Sequence, residues 1–258
     1  MPSLPPKSAP RTSQITYLDV SHGGETHRVA LKRIASARRF TLRVRAATRD
    51  VVLTMPPRGS ITGARSFIER HAAWIGARLE RLPEPMPFGG GEIVPIRGFN
   101  HRIVERPRQH GNVWIEPVAK AVANTKLPLL CVGTEPAHVA RRVKEFLVHE
   151  ARRDIEAAVA RHAAKIGVKP RKISLRDTTS RWGSCSSTGA LSFSWRLILA
   201  PSYVLDYLAA HEVAHLVHMN HSPSFWKVLA KLSAHVDRAE VWLKAHGAGL
   251  LRFGPFNA

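Results

Sequence analysis

Hydrophobic positions recur along this chain with two different spacings, and the change between them divides it. Up to about residue 132 most apolar runs alternate with a period of two. Ile15 to Val20 is rich in β-branched and aromatic residues and runs into the turn-prone pair Gly23-Gly24, which predicts a first strand. Thr26 to Ile34 alternates well enough to predict a second. Phe40, Leu42 and Val44 share one face of a strictly alternating run, with Thr41, Arg43 and Arg45 on the other. Val51 to Met55 follows a short polar turn, so these two runs predict a hairpin. From Ser60 to Leu82 the spacing becomes helical, through Phe67, Ile68, Trp74, Ile75 and Leu79. Pro83, Pro85, Pro87 and Gly89-Gly90-Gly91 then mark the main internal boundary. Four short strands are predicted beyond it, at Glu92–Ile96, His101–Glu105, Asn112–Glu116 and Leu127–Val132.

The second half is mostly helical. Thr134-Glu135-Pro136 opens a long helix with Thr134 as its cap, ending near Ile166 at Gly167. Val139, Val143, Phe146, Leu147, Ile155 and Val159 give it a core face, and Arg141, Arg142, Lys144, Arg152 and Arg153 a basic one. Lys172–Leu175 and Ala190–Leu199 read as strands flanking a turn-rich segment, Ser180 to Ser186. Pro201-Ser202 leads into the strongly apolar helix VLDYLAAHEVAHLV. After Pro223, an apolar stripe runs through Phe225, Trp226, Val228, Leu229 and Leu232, and a last helix carries Val241, Trp242 and Leu243. The fold class expected is α+β. The expected divisions are a tail at 1–14, a β-rich part with one helix at 15–88, and a part at 89–258 built of short strands, the long helix and the helices that follow.

Composition narrows the field. At 258 residues the chain can build one large or two small cores. With 44% hydrophobic residues and no apolar run of about 18, it contains no expected membrane span. The start, MPSLPPKSAPRTSQ, lacks the apolar segment of a signal peptide and reads as a disordered proline-rich tail. Two cysteines without a CxxC argue against a disulfide framework and fit a cytoplasmic setting. The net charge of +20 makes nucleic acid or another polyanion a candidate partner through a basic surface.

The candidate chemistry lies in His211-Glu212-Val213-Ala214-His215. Two histidines four apart on a helix stand one turn above the other on the same face, where both imidazoles can reach one metal ion. Glu212 lies about 100° around the axis from His211, beside such an ion, in the place of a general base acting on water. Two histidines and a glutamate in so apolar a helix need partners, so a metal explains them better than unpaired burial does. For a third ligand, His218 shares the helix face but sits about 10 Å along the axis from His211, too far to converge easily. His221 reaches the ion only if the helix stops. Asn220 suits a left-handed helix end, and Ser222-Pro223 suits an N-cap followed by proline at the first position of a new helix, so His221 falls at a corner. The site expected is therefore His211, His215 and His221 as metal ligands and Glu212 as catalytic base.

RWGSCS, WRLILAP and HEVAHLVHMNHSPSFW together resemble the YgjP-like metallopeptidase family, related to the SprT-like zinc proteases. The resemblance spans roughly residues 26–246. It implies a zincin-like catalytic half, a Zn2+ cofactor, a protein or peptide substrate and the same four site residues. One departure is Ser194, where the family often carries asparagine before the tryptophan of the WRL segment. The expected activity is hydrolysis of peptide bonds by a metal-activated water. Arg181, Tyr203, Tyr207, Arg196 and His218 are the nearby candidates for oxyanion support. Two alternatives come with it. One is a metal-dependent hydrolase of a non-peptide substrate such as a nucleoside triphosphate, although no GxxxxGK[ST] loop is present. The other is a DNA-associated protein with a structural metal site, against which the HExxH glutamate counts.

Overall fold

The computed structural model describes residues 16–45, 49–107, 113–117, 126–178 and 180–254. The expected tail, Ile15 and Asn112 lie outside them. The chain forms two compact units, one up to Leu82 and one from Pro83. The glycine run had suggested a division after residue 88. Met86–Pro87 pairs with Phe253–Gly254, and Phe88 is buried in the second core, so residues 83–88 belong to the later unit.

The first unit is a four-stranded sheet with two helices on one face. Its strands are β1 (Thr16–His22), β2 (Glu25–Arg33), β3 (Thr41–Val44) and β4 (Val51–Met55), in the order β1-β2-β4-β3. β2 and β4 are parallel, and the other two pairs are antiparallel. The period of two sorts the side chains. Leu18, Val20, Val29, Leu31, Val51, Leu53 and Met55 face inward, with Phe40, Leu42 and Val44 packed against them. Helices α1 (Ile61–Arg70) and α2 (Ala72–Glu80) supply Ala64, Ile68, Ala72 and Ile75 to this core. One helix was expected over this stretch. It breaks at His71, whose ring Nδ1 donates to the Phe67 carbonyl at 2.8 Å, the acceptor that continued helix would use.

The second unit opens with β5 (Met86–Pro87). Four strands then form a sheet in the order β6-β7-β9-β8: β6 (Ile93–Ile96), β7 (Phe99–Glu105), β8 (Val113–Glu116) and β9 (Leu129–Val132). The long helix α3 (Val139–Lys165) follows a 3-10 turn at Pro136–His138, so it starts later than a Thr134 cap implies. It buries Val139, Val143, Leu147, Ile155 and Val159 and is followed by Gly167 at φ +68°, the left-handed conformation that glycine adopts without a Cβ penalty. Strands β10 (Lys172–Arg176), β11 (Gly183–Cys185) and β12 (Ala190–Ser194) form a second sheet in the order β10-β12-β11. β12 is shorter than the run to Leu199 predicted. The buried Ser194 hydroxyl accepts from Arg196 N and turns Trp195–Leu199 into a 3-10 segment.

Helices α4 (Ser202–Ala214), α5 (Pro223–Leu232) and α6 (Val236–Leu250) complete the unit, and β13 (Phe253–Gly254) pairs with β5. α4 is apolar on nearly every side because it packs against α3, α5, α6 and β11. A mixed α+β fold results, with the central helix of its larger core carrying the histidines. Among the described residues, no helix is long and apolar enough to cross a membrane.

Candidate metal centre

Three histidines converge at the end of α4. His211 and His215 come from successive turns of the helix, and His221 comes from the connection to α5. One ring nitrogen from each lies within 4.8 Å of the others. The helix ends at Ala214, earlier than a helix carrying His218 in its last turn. Asn220 is not left-handed; the described non-glycine residues with positive φ are Arg49 and Arg97. The chain instead tightens through Leu216 N–Val213 O and His218 N–Ala214 O bonds. The new helix begins as expected, with the Ser222 hydroxyl accepting from Phe225 N and Pro223 in the first turn.

Hydrogen bonds fix which nitrogen each ring presents. His215 Nδ1 donates to the His218 carbonyl at 3.0 Å. His211 Nδ1 faces the Tyr207 hydroxyl at 3.3 Å, and that hydroxyl donates to Glu240 Oε1 at 2.8 Å. With both Nδ1 atoms acting as donors, the Nε2 atoms of His211 and His215 carry lone pairs. His221 Nε2 lies 3.1 Å from His211 Nε2. Two imidazoles bound tetrahedrally to one zinc at about 2.0–2.1 Å would hold their nitrogens roughly 3.3 Å apart. The donor set thus fits a divalent ion that takes nitrogen ligands, and the carboxylate–tyrosine–histidine chain is the outer support such ligands require. Phe225 is fully buried beneath the cluster, its ring centroid 4.6 Å from His215, 4.7 Å from His221 and 5.1 Å from His211.

Glu212 is buried against β11, and its Oε2 has no hydrogen-bond partner among the described residues. Burial pushes its carboxyl up to about 7, against the pull of the Arg181 cation. Burial, with His215 and His221 beside it, holds His211 down to about 4, so this ring stays neutral at physiological pH. The seat of Glu212 is Gly183. A Cβ there would lie 2.3 Å from Glu212 Oε1 and 2.8 Å from Cγ and Cδ. Cys185 is no thiolate nucleophile, because burial and the nearby Glu212 raise its thiol.

Most of the oxyanion candidates have other partners. The buried Arg196 pairs with Asp177 at 2.8 Å and donates to the Leu250 and Phe253 carbonyls. Tyr203 lies under Arg238, and Tyr207 serves His211. His218 gives only its backbone carbonyl to His215, which does not engage its ring. Arg181 is the exposed cation among the candidates, and its field reaches Glu212. Sequence reasoning placed Trp226 in the core stripe, but it is 40% exposed, held by its indole N–H on the His221 carbonyl at 3.2 Å. It also missed the supporting roles of Gly183 and Glu240, whereas Phe225 packs in the core as its place in the apolar stripe implies. Tyr207 carried a signal, since it stands one helical turn before His211.

The model of the YgjP-like metallopeptidase domain matches residues 38–246. The chain belongs to the YgjP-like family. A YgjP-like domain is a metallopeptidase domain, so the chain is a metal-dependent peptidase, a hydrolase acting on protein substrates. Among solved structures, the metallopeptidase zymogen abylysin of Pyrococcus abyssi is similar at 20% identity over 39% of this chain and 98% of that one. Its TM-score of 0.33 is too low for the likeness to carry an argument. No curated protein matches.

Proposed function

We propose that this YgjP-like chain is a zinc peptidase with a zincin-like catalytic half, in which His211, His215 and His221 hold the ion and Glu212 is the general base. One observation carries this reading. Three imidazole nitrogens meet within 4.8 Å at the end of the helix that also carries Glu212, a buried carboxylate whose Oε2 has no hydrogen-bond partner among the described residues. Zinc suits three neutral imidazoles, and when bound it supplies Lewis acidity that polarises a carbonyl and acidifies water.

The chain's own residues do the rest. Tyr207 and Glu240 hold His211 in one tautomer, and the His218 carbonyl holds His215. Glu212 takes a proton from water at Oε2 as the water oxygen attacks the scissile carbonyl carbon. It returns that proton to the amine nitrogen as the C–N bond breaks. Gly183 leaves room for the carboxylate in that position. The Arg181 cation is the side chain we assign to the negative charge that develops on the carbonyl oxygen. Two free cysteines, Cys131 and Cys185, suit the reducing cytoplasm we propose as its setting.

Zinc counting on purified variants tests the ligand assignment. His211→Ala, His215→Ala and His221→Ala should each lose stoichiometric zinc and cleavage of an unfolded protein together. Full zinc occupancy in His221→Ala would remove that residue from the ligand set.

A further inference from the structure

Residues 1–82 hold 15 Lys and Arg against five Asp and Glu, half of the net charge in about a third of the chain. The basic face of α3, the most localised cationic stretch in the sequence, is largely answered within its own unit. Arg141 pairs with Glu145, Arg152 with Glu156, Arg153 with Glu150 and Lys144 with Asp177. The first unit is different. Its helices cover one face of the sheet, and among the described residues no helix or strand of that unit covers the other.

The strand register arranges that open face. Tyr17, Ala30, Val52 and Arg43 lie in one row across β1, β2, β4 and β3. Arg28 sits in the next row opposite Asp19, and Lys32 lies beyond Ala30 opposite Thr54. A hollow of about 650 Å³ is lined from this face by Tyr17, Arg28, Ala30 and Lys32, together with Arg45 and Asp50, and it also reaches Leu31, Val51 and Met55 of the core-facing rows and Ile61 of α1. Small-molecule sites span about 300–1,000 Å³, so the volume is that of a binding site. Tyr17 is 44% exposed, and the Arg28 guanidinium lies 4.3 Å from its ring centroid. Among the described residues, Arg28, Lys32 and Arg45 form no ion pair within 4.0 Å; Arg33, also at the rim, is tied to the Pro57 and Gly59 carbonyls.

We propose that this open sheet face binds single-stranded nucleic acid, with a base stacked on the Tyr17–Arg28 pair and phosphates held by Lys32 and Arg45. Unpaired cations around an accessible aromatic ring on a sheet match a chain with a regular negative backbone and flat bases. A duplex keeps its bases stacked inward and cannot offer one to Tyr17. The site belongs to the first unit and stands apart from the peptidase reading.

The test uses the full chain and a labelled single-stranded DNA of about 12 nucleotides, followed by fluorescence anisotropy at about 0.15 M salt. Tyr17→Ala should weaken binding about ten-fold or more, and Tyr17→Phe, which keeps the ring, should bind like the wild type. Arg28→Gln/Lys32→Gln/Arg45→Gln should flatten the slope of log K against log salt by about 1.4, about 0.7 for each of the two phosphates held. A control that removes three exposed lysines of the second unit, Lys169, Lys231 and Lys244, should leave affinity within about two-fold. Thermal unfolding confirms that each variant is folded. Four results would overturn the proposal: no binding, equal loss in the control triple, tighter binding of duplex, or competition by poly-glutamate as effective as unlabelled DNA. The last would assign the face to acidic protein.

Discussion

A methyl group added at Gly183 tests how the base is held without touching a ligand. The new Cβ would stand 2.3 Å from Glu212 Oε1 and 2.8 Å from Cγ and Cδ. Ordinary contact begins roughly 1 Å further out, and the helix bearing Glu212 is packed on every side, so the carboxylate must move by about that much. Misplacing a reacting group by about 1 Å costs about 10²-fold in rate, equivalent to about 2.7 kcal/mol. Overpacking itself costs about 1–3 kcal/mol of stability, or a Tm lower by several degrees in a chain of this size. Gly183→Ala should therefore bind one zinc, melt a few degrees early and cleave an unfolded protein about 100-fold more slowly, chiefly through kcat. Wild-type kcat in a folded, zinc-loaded Gly183→Ala would refute the reasoning. Loss of zinc would show that Gly183 serves the ligands instead.

Further outcomes follow from the supporting residues. Tyr207→Phe removes the hydroxyl between His211 and Glu240, so zinc affinity measured against a competing chelator should fall about 10–100-fold; unchanged affinity would make that chain a packing feature only. Arg181→Ala should lower kcat by about 10²–10³-fold at constant zinc content, whereas a change in KM alone would place Arg181 in substrate binding. Burial pushes the Asp206 carboxyl up, but His162 and Arg161 outweigh it and hold the carboxyl below its ordinary value. A depressed folded pKa means that this stabilisation is present above an unfolded pKa of about 3.9 and is lost as pH falls through the folded one. The stability gap between wild type and Asp206→Asn in urea unfolding should be full at neutral pH and close in that acid range; a gap independent of pH would contradict it.

Local patterns carried much of this structure. The alternation of Phe40, Leu42 and Val44 set the inward face of β3, and Ser222-Pro223 set the corner that brings His221 back to α4. The four-residue spacing placed His211 and His215 together because it needs only the helix period. What stayed hidden depends on partners distant in sequence. Glu240 reaches Tyr207 from 33 positions away, and Gly183 meets Glu212 because β11 packs on α4. Neither contact leaves a period in the sequence. The break at His71 was hidden for a different reason: a ring nitrogen competes with the backbone for one carbonyl, while the apolar spacing runs straight through it. Trp226 was assigned to the core by its place in an apolar run, but the indole N–H holds it outward on His221.

Glu212 is the residue on which the proposed chemistry rests, and the most direct measurement is zinc-reconstituted wild type against Glu212→Gln on an unfolded protein, with zinc content and nucleoside triphosphate hydrolysis followed in parallel. The glutamine keeps the shape and all three imidazoles but cannot accept a proton. Wild type should yield peptide fragments. Glu212→Gln should carry the same zinc and yield none, and neither should release phosphate. Equal cleavage by both proteins would contradict the assignment of Glu212, and triphosphate hydrolysis lost in the variant without any peptide cleavage would contradict the choice of substrate.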